Sequence, residues 1–149
     1  MANAFEVHID GLEEALAALR RAGVSTRPIL RAAAEAGAEI IADAARGLAP
    51  GPEVETDVVE SRADSIVVDV GPVKEKWYYR FFETGAGPHA IKGQSLLVFE
   101  GDHGLVRIGS VQHPGQAAEP FLRPAFDAQG DEAVDVIGAQ LRAAIEGSV

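Results

Sequence analysis

The chain contains no cysteine. That excludes a disulfide framework, a thiolate nucleophile and any Cys-ligated zinc or iron–sulfur site, and it fits a protein made in a reducing cytoplasm. Aromatic residues are scarce at 6%, so a core must lean on Ala, Val, Leu and Ile. Bases are outnumbered, 13 against 23 acids, for a formal net charge of -10. Tight DNA binders displace counterions with Lys and Arg, so this balance argues against sequence-specific DNA recognition. It leaves room for a surface that DNA slides past without sticking. Long apolar runs are missing too: no stretch approaches the roughly 20 residues of a membrane helix. Met1 to Asp10 has neither the basic region nor the apolar run of a signal peptide, and the chain reads as soluble.

What is present is a globular mixture, 47% hydrophobic and 24% charged, in 149 residues that suit one domain. Phe5 to Ile9 alternates apolar and polar residues, a short strand signal. Asp10-Gly11-Leu12-Glu13 reads as a capping box opening a helix with Leu12, Ala15, Leu16 and Leu19 on one face, and Gly23 ends it. A second helix is expected from Ser25 or Thr26, with Pro28 in its first turn and Ile29, Ala33, Gly37, Ile40, Ala44 and Leu48 along its apolar face. Its small residues imply close packing on a sheet or another helix. Pro50-Gly51-Pro52 stops it.

From Gly51 to Pro72 six acids (Glu53, Glu55, Asp57, Glu60, Asp64, Asp69) face one base, Arg62, and the first half is ambiguous between loop and edge strand. Ser65 to Gly71 predicts a strand with Ile66, Val68 and Val70 on one face. Trp77 to Phe82 holds five of the nine aromatics and predicts a short helix pairing Trp77 with Phe81 and Tyr78 with Phe82. Thr84 to Gln94 reads as a loop. Ser95–Phe99 and Leu105–Val111 predict a β-hairpin whose tip is Glu100 to Gly104, and His113-Pro114-Gly115 turns the chain. A final helix carries Phe126, Val134, Ile137, Leu141 and Ile145. The fold class is α+β: two N-terminal helices, a mostly antiparallel sheet with a long hairpin, and a closing C-terminal helix.

Chemistry-bearing patterns are weak. His89, His103 and His113 sit in the loop-rich middle, 14 and 10 residues apart, without the i, i+4 pairing of a zinc-protease helix. Glu83 adds a carboxylate, but histidines beside turn glycines are more often solvated than ligating. Ser95 and Ser110 lack a nucleophile-elbow context, and no phosphate-binding loop is present. No cofactor and no catalytic residue is assigned. The aromatic run suits base stacking in principle. The acidic balance favours core or subunit packing instead.

An ordered series of motifs carries more. Leu48-Ala49-Pro50 ends a long Ala-rich helix and Ser65-Ile66 opens a strand. Tyr78-Tyr79-Arg80-Phe81-Phe82-Glu83-Thr84-Gly85 and His113-Pro114-Gly115 follow. Pro120-Phe121-Leu122-Arg123-Pro124-Ala125-Phe126 leads into the last helix. In content, order and separation this series resembles the small head–tail connector proteins of long-tailed bacteriophages, also called neck, tail-component or tail-completion proteins. The likeness runs over nearly the whole chain. Two places differ: members commonly show Thr-Gly-x-Leu where this chain has its acidic Glu53 to Glu60 stretch, and Gly-Thr where it has Thr84-Gly85-Ala86.

The resemblance implies a non-enzymatic virion protein, made in the bacterial cytoplasm, that forms a ring of six or twelve copies between the portal-bound adaptor or stopper and the tail terminator or tail tube. DNA would only pass through, past an acidic surface for which Glu53, Glu55, Asp57 and Glu60 are candidates. Contacts with other copies or partners are expected at Trp77, Tyr78, Phe81, Phe82 and Glu83. Phe121, Leu122 and Arg123 suit either such an interface or internal docking of the last helix. Segments ordering on assembly are expected around Gly85, Gly87 and His89 and around Gly101, Asp102 and Gly104. The alternatives are a tail terminator, a soluble protein-binding module that needs no ring, and a hydrolase.

Overall fold

In the computed structural model the described residues are 10–49, 53–62 and 64–147. They form α1 (Leu12–Arg21), α2 (Thr26–Leu48), β1 (Val54–Ser61), β2 (Ile66–Pro72), a 3-10 turn (Lys74–Tyr79), α3 (Arg80–Thr84), β3 (His89–Gly101), β4 (Gly104–His113) and α4 (Leu122–Glu146). This is the expected α+β class, with helices at both ends and antiparallel strand pairs between. The strand expected at Phe5 to Ile9 and the Pro50-Gly51-Pro52 stop lie outside the described residues.

The chain divides into two compact units, residues 1–76 with 121–149, and residues 77–120. The first contains α1, α2, α4 and the β1–β2 pair. Helix α1 buries Leu16 and Leu19, as its spacing predicts. Its N-cap position is Gly11, and it stops where Gly23 turns to positive φ and Val24 N–H donates to the Leu19 carbonyl at 2.9 Å. Ser25 precedes α2, with Pro28 in the first turn. The C-cap Ala49 is extended (ψ 149), the conformation imposed on a residue before proline.

The buried face of α2 is rotated from the expected one. Leu30, Ala33, Gly37, Ala38, Ala42 and Ala45 are buried, whereas Leu48 is 55% exposed. In α4 the buried positions are Ala125, Ala133 and Leu141, and Val134 is exposed. The physical reason is common to both. The two helices pack on each other so closely that only small side chains fit the seam, and large residues are displaced to its flanks. A Cβ on Gly37 would lie 2.6 Å from Ile137 Cγ1 and 3.0 Å from the Ala133 carbonyl oxygen. Around the seam, Leu16, Leu30, Ala33 and Leu141 form a core flanked by Leu12, Ile29, Ile66 and Ile137.

Strands β1 and β2 pair antiparallel, Thr56 opposite Val70 and Val58 opposite Val68, with a bulge between Val58 and Glu60. The acidic stretch is therefore a strand. Val54, Thr56, Val58, Ile66, Val68 and Val70 are turned inward, and both strands contact α2. Arg46 ties helix to sheet: its Nε donates to the Val54 carbonyl at 2.9 Å, and Nη1 meets Glu39 and Asp43 at 2.6 Å each. The hydrogen bond to Glu39 is the main cause holding this guanidinium's pKa above its ordinary value, against partial burial.

The second unit is dominated by the β3–β4 hairpin. His89 to Lys92 pair with Ser110 to His113, and Leu97 to Gly101 pair with Gly104 to Ile108. Of the segment Thr84 to Gln94, expected to be a loop, the part from His89 to Gln94 is thus the first half of a strand. Its glycine is absorbed in a bulge between Lys92 and Leu97 rather than in a loop. Only Asp102 and His103 remain at the tip.

Candidate functional site

The hairpin breaks the usual patterning of a strand pair. Leu96-Leu97-Val98-Phe99 runs four apolar residues without alternation, so neither face is reserved for water. Leu96 is 56% exposed, Val98 54% and Leu105 62%, with Ile91 and Phe99 also exposed. Pairing of Val98 with Arg107 and Glu100 with Leu105 puts Val98, Arg107, Glu100 and Leu105 on one face. Leu97, Phe99, Val106 and Ile108 occupy the other. An isolated two-stranded hairpin is marginal in water. One that exposes Leu96, Val98 and Leu105 is an element awaiting a partner.

At the base of this arm the chain is closed by backbone. Ala86 and Gln116 exchange hydrogen bonds of 2.9 and 2.8 Å, and Glu119 N–H donates to the Phe82 carbonyl at 2.6 Å. Gly115 (φ 90) stands against this bridge, where a Cβ would collide with the Ala86 carbonyl. Gly115→Ala is therefore expected to cost at least about 2 kcal/mol locally. Hydrogen exchange at the Ala86 and Gln116 amides checks this. Exchange as slow as in the parent chain would contradict it.

His89 and His113 face each other in register, ring centroids 5.2 Å apart. His89 Nδ1 lies 2.9 Å from the Gly87 carbonyl, which fixes that nitrogen as the donor. His113 Nδ1 accepts from Gly115 N–H at 3.1 Å, which leaves the proton of the neutral ring on Nε2. Each ring thus has its tautomer set by the turn. His103 sits at the tip, away from both. Among the described residues no group of three or more His, Asp or Glu is arranged to hold a metal ion.

The aromatic segment is helical, as expected, but its first turn is 3-10 and kinks at Lys76. Trp77 meets Phe81 edge-on at 6.0 Å, and Tyr79 meets Phe82 at 5.5 Å. Tyr79 is the buried member. Trp77 remains 58% exposed and Tyr78 39%. The Arg80 guanidinium lies 5.1 Å from the Trp77 ring and 4.9 Å from Phe81, a cation–π sandwich at the surface. Phe81, Phe82 and Glu83 are half-buried. Exposed Trp, Tyr and Arg side by side are the residue types that dominate binding energy at protein interfaces.

The remaining candidates fall differently. Phe121 is fully buried, which favours the internal-docking alternative: it stands at the start of α4 as the N-terminal cap residue. Leu122 is half-buried, and Arg123 is exposed with Nε 2.9 Å from each Asp127 carboxylate oxygen. Gly85 and Gly87 flank the Ala86 bridge, whereas His89 and Gly101 lie within β3 rather than in loops. Among the acids, Glu55 and Asp57 point outward with Asp69 directly opposite Asp57. Glu53 is paired with Lys76 at 3.5 Å and Glu60 with Arg62. An open groove lined by Arg31, Glu35 and Glu39 of α2 and by Thr56, Asp57, Val58 and Ser61 runs beside β1. The i, i+4, i+8 spacing of that α2 stripe was there to be read, but nothing in the sequence said that a sheet edge lay next to it.

No helix among the described residues is long and apolar enough to cross a membrane. Comparison with protein-family models, with curated proteins and with solved structures found no match.

Proposed function

We propose that this chain is a structural subunit of a bacteriophage particle, one of a ring of copies at the junction between head and tail. The ordered motif series from Leu48-Ala49-Pro50 to Phe126 supports the viral role. The observation that carries the assembly role is the β3–β4 arm, with Leu96, Val98 and Leu105 more than half exposed. A monomer gains nothing by exposing such residues. A ring subunit covers them when neighbours arrive.

The charge distribution agrees with a passage for DNA. Residues 77–120 hold three of the 13 bases and four of the 23 acids, so almost all of the net charge falls on the other unit. There Glu55, Asp57 and Asp69 share the outward face of the β1–β2 pair. Like charges opposite one another cost stability, so the face is kept for a reason other than folding. A lining of this sign repels the phosphate backbone and lets it slide. Lysine at Glu55 and Asp69 is expected to slow DNA ejection from assembled particles, and unchanged ejection would count against a channel position.

The direct test is molar mass in solution, by sedimentation with imaging of the same sample. The subunit is 15.6 kDa, and a closed ring of six is expected at about 94 kDa. A monomer that tail tubes and portal complexes also fail to recruit would leave a soluble binding module as the better reading.

A further inference from the structure

This inference rests on the ring reading and names the contact that builds it. The β1–β2 sheet has two strands, and among the described residues β1 has no strand on its other edge. Two hydrogen bonds orient that edge. The Glu53 carbonyl accepts from Val73 N–H at 3.2 Å, on the β2 side, whereas the Val54 carbonyl accepts from Arg46, on the opposite side. By the alternation of a strand, the main-chain groups of Thr56 and Val58 also point away from β2. These residues line the groove whose far wall is Arg31, Glu35 and Glu39. A free strand edge beside a groove is the geometry that accepts an added strand.

The arm has the complementary features. Among the described residues its strands have no neighbour but each other, and its face at Val98 and Leu105 is exposed and apolar there. Along its middle the exposed charges are Lys92 and Arg107, and its acids Glu100 and Asp102 are confined to the tip. The groove carries three carboxylates, Glu35, Glu39 and Asp57; Arg31 meets Glu35 at 2.9 Å and Arg46 meets Glu39 at 2.6 Å, so its surplus negative charge is Asp57. Thirteen residues of β3 give a reach of about 40 Å, enough to cross to a neighbour.

We propose that the β3–β4 arm of one copy lies along the free β1 edge of a second copy, extending its sheet and setting Lys92 and Arg107 against Glu35 and Asp57. Donor and receiver are different surfaces, so each copy gives one arm and takes one. Such a head-to-tail contact gives a ring when the rotation between successive copies closes.

The test uses two kinds of variant. Val98→Asp, with Leu105→Asp as a second version on the other strand, spoils the arm at exposed positions. Glu35→Lys reverses the charge at one position of the receiver, and Thr56→Pro removes its edge donor at a position where an edge strand tolerates proline. With melting curves confirming that each variant folds, every one alone is expected to sediment as a monomer under conditions where the parent forms rings. An arm variant mixed with a receiver variant is expected to give one-to-one dimers and nothing larger, because one intact contact remains. Arm variants that still form rings would overturn the contact and leave the ring reading standing. Receiver variants that still form rings would overturn it in favour of arm-to-arm pairing, and a mixture that stays monomeric would overturn it as well. A parent chain that never associates, even with tail tubes or portals present, would remove both the contact and the ring.

Discussion

Replacing Phe121 by alanine is expected to lower the unfolding free energy by about 3–5 kcal/mol, the range for truncating a fully buried phenylalanine. Phe121 has no exposed surface and is the one large side chain buried below 2% among the described residues. It caps α4 between Pro120 and Leu122, so the ring fixes where a 25-residue helix begins. Domains of this size are stable by about 5–15 kcal/mol, so the loss consumes a large part of the margin. In urea it should appear as a midpoint lowered by about 2–3 M with little change in slope. Phe121→Leu, which keeps most of the volume, should cost about 1 kcal/mol. The same residue sits in the motif Pro120-Phe121-Leu122-Arg123-Pro124, which also suits an interface. A Phe121→Ala chain that melts like the parent but fails to assemble would assign it there instead.

The second large effect is expected at the seam between α2 and α4. Glycine in a helix interior is about 1 kcal/mol worse than alanine, so Gly37→Ala should stabilise if only helix propensity counted. The seam reverses the sign. The new Cβ would press on Ile137 at 2.6 Å and on the Ala133 carbonyl at 3.0 Å, and a backbone oxygen cannot turn aside. Overpacking of this kind costs about 1–3 kcal/mol for one methyl and more for valine. Gly37→Val is therefore expected to destabilise by about 3 kcal/mol or to part the helices. Ile137→Ala in the Gly37→Ala chain should recover part of the loss, a coupling of at least about 0.5 kcal/mol between touching residues. Gly138 provides the control. A Cβ there meets nothing within 4 Å, so Gly138→Ala is expected to raise stability by about 0.5–1 kcal/mol. Thermal melts of the four variants test this, and a stabilised Gly37→Ala would show that the helices are not in close contact.

Helix phase was the least legible part of the fold in the sequence, and the reason lies in these same residues. Hydropathy gives most weight to large apolar side chains, and so favoured Ile40, Leu48 and Val134. Where two backbones nearly touch, the buried positions go to Ala33, Ala42, Ala45, Ala125 and Ala133, whose side chains barely register on such a scale. The β3 boundary was misjudged for a related reason. Gly87, Pro88 and Gly93 are turn residues by composition. Pairing of His89 with His113 nonetheless starts the ladder at the first residue free to join it. The aromatic run was placed correctly in a short helix, but which rings face out followed from the 3-10 start at Lys74–Tyr79, which brings Tyr79 to Phe82 at a spacing of three.

By itself the sequence determined the order of the helices, of β2 and of the hairpin, the α+β class, the helix stop at Gly23, the inward face Ile66, Val68 and Val70 of β2, and the motif series that the proposed role depends on. These are local or periodic properties, set by residue type within a turn or two. Only the tertiary structure decided that Phe121 is core, that Trp77 and Tyr78 face water, and that Leu96, Val98 and Leu105 stay more than half exposed. Whether an apolar side chain is buried depends on what folds against it, and that comes from residues distant in the chain or from another molecule.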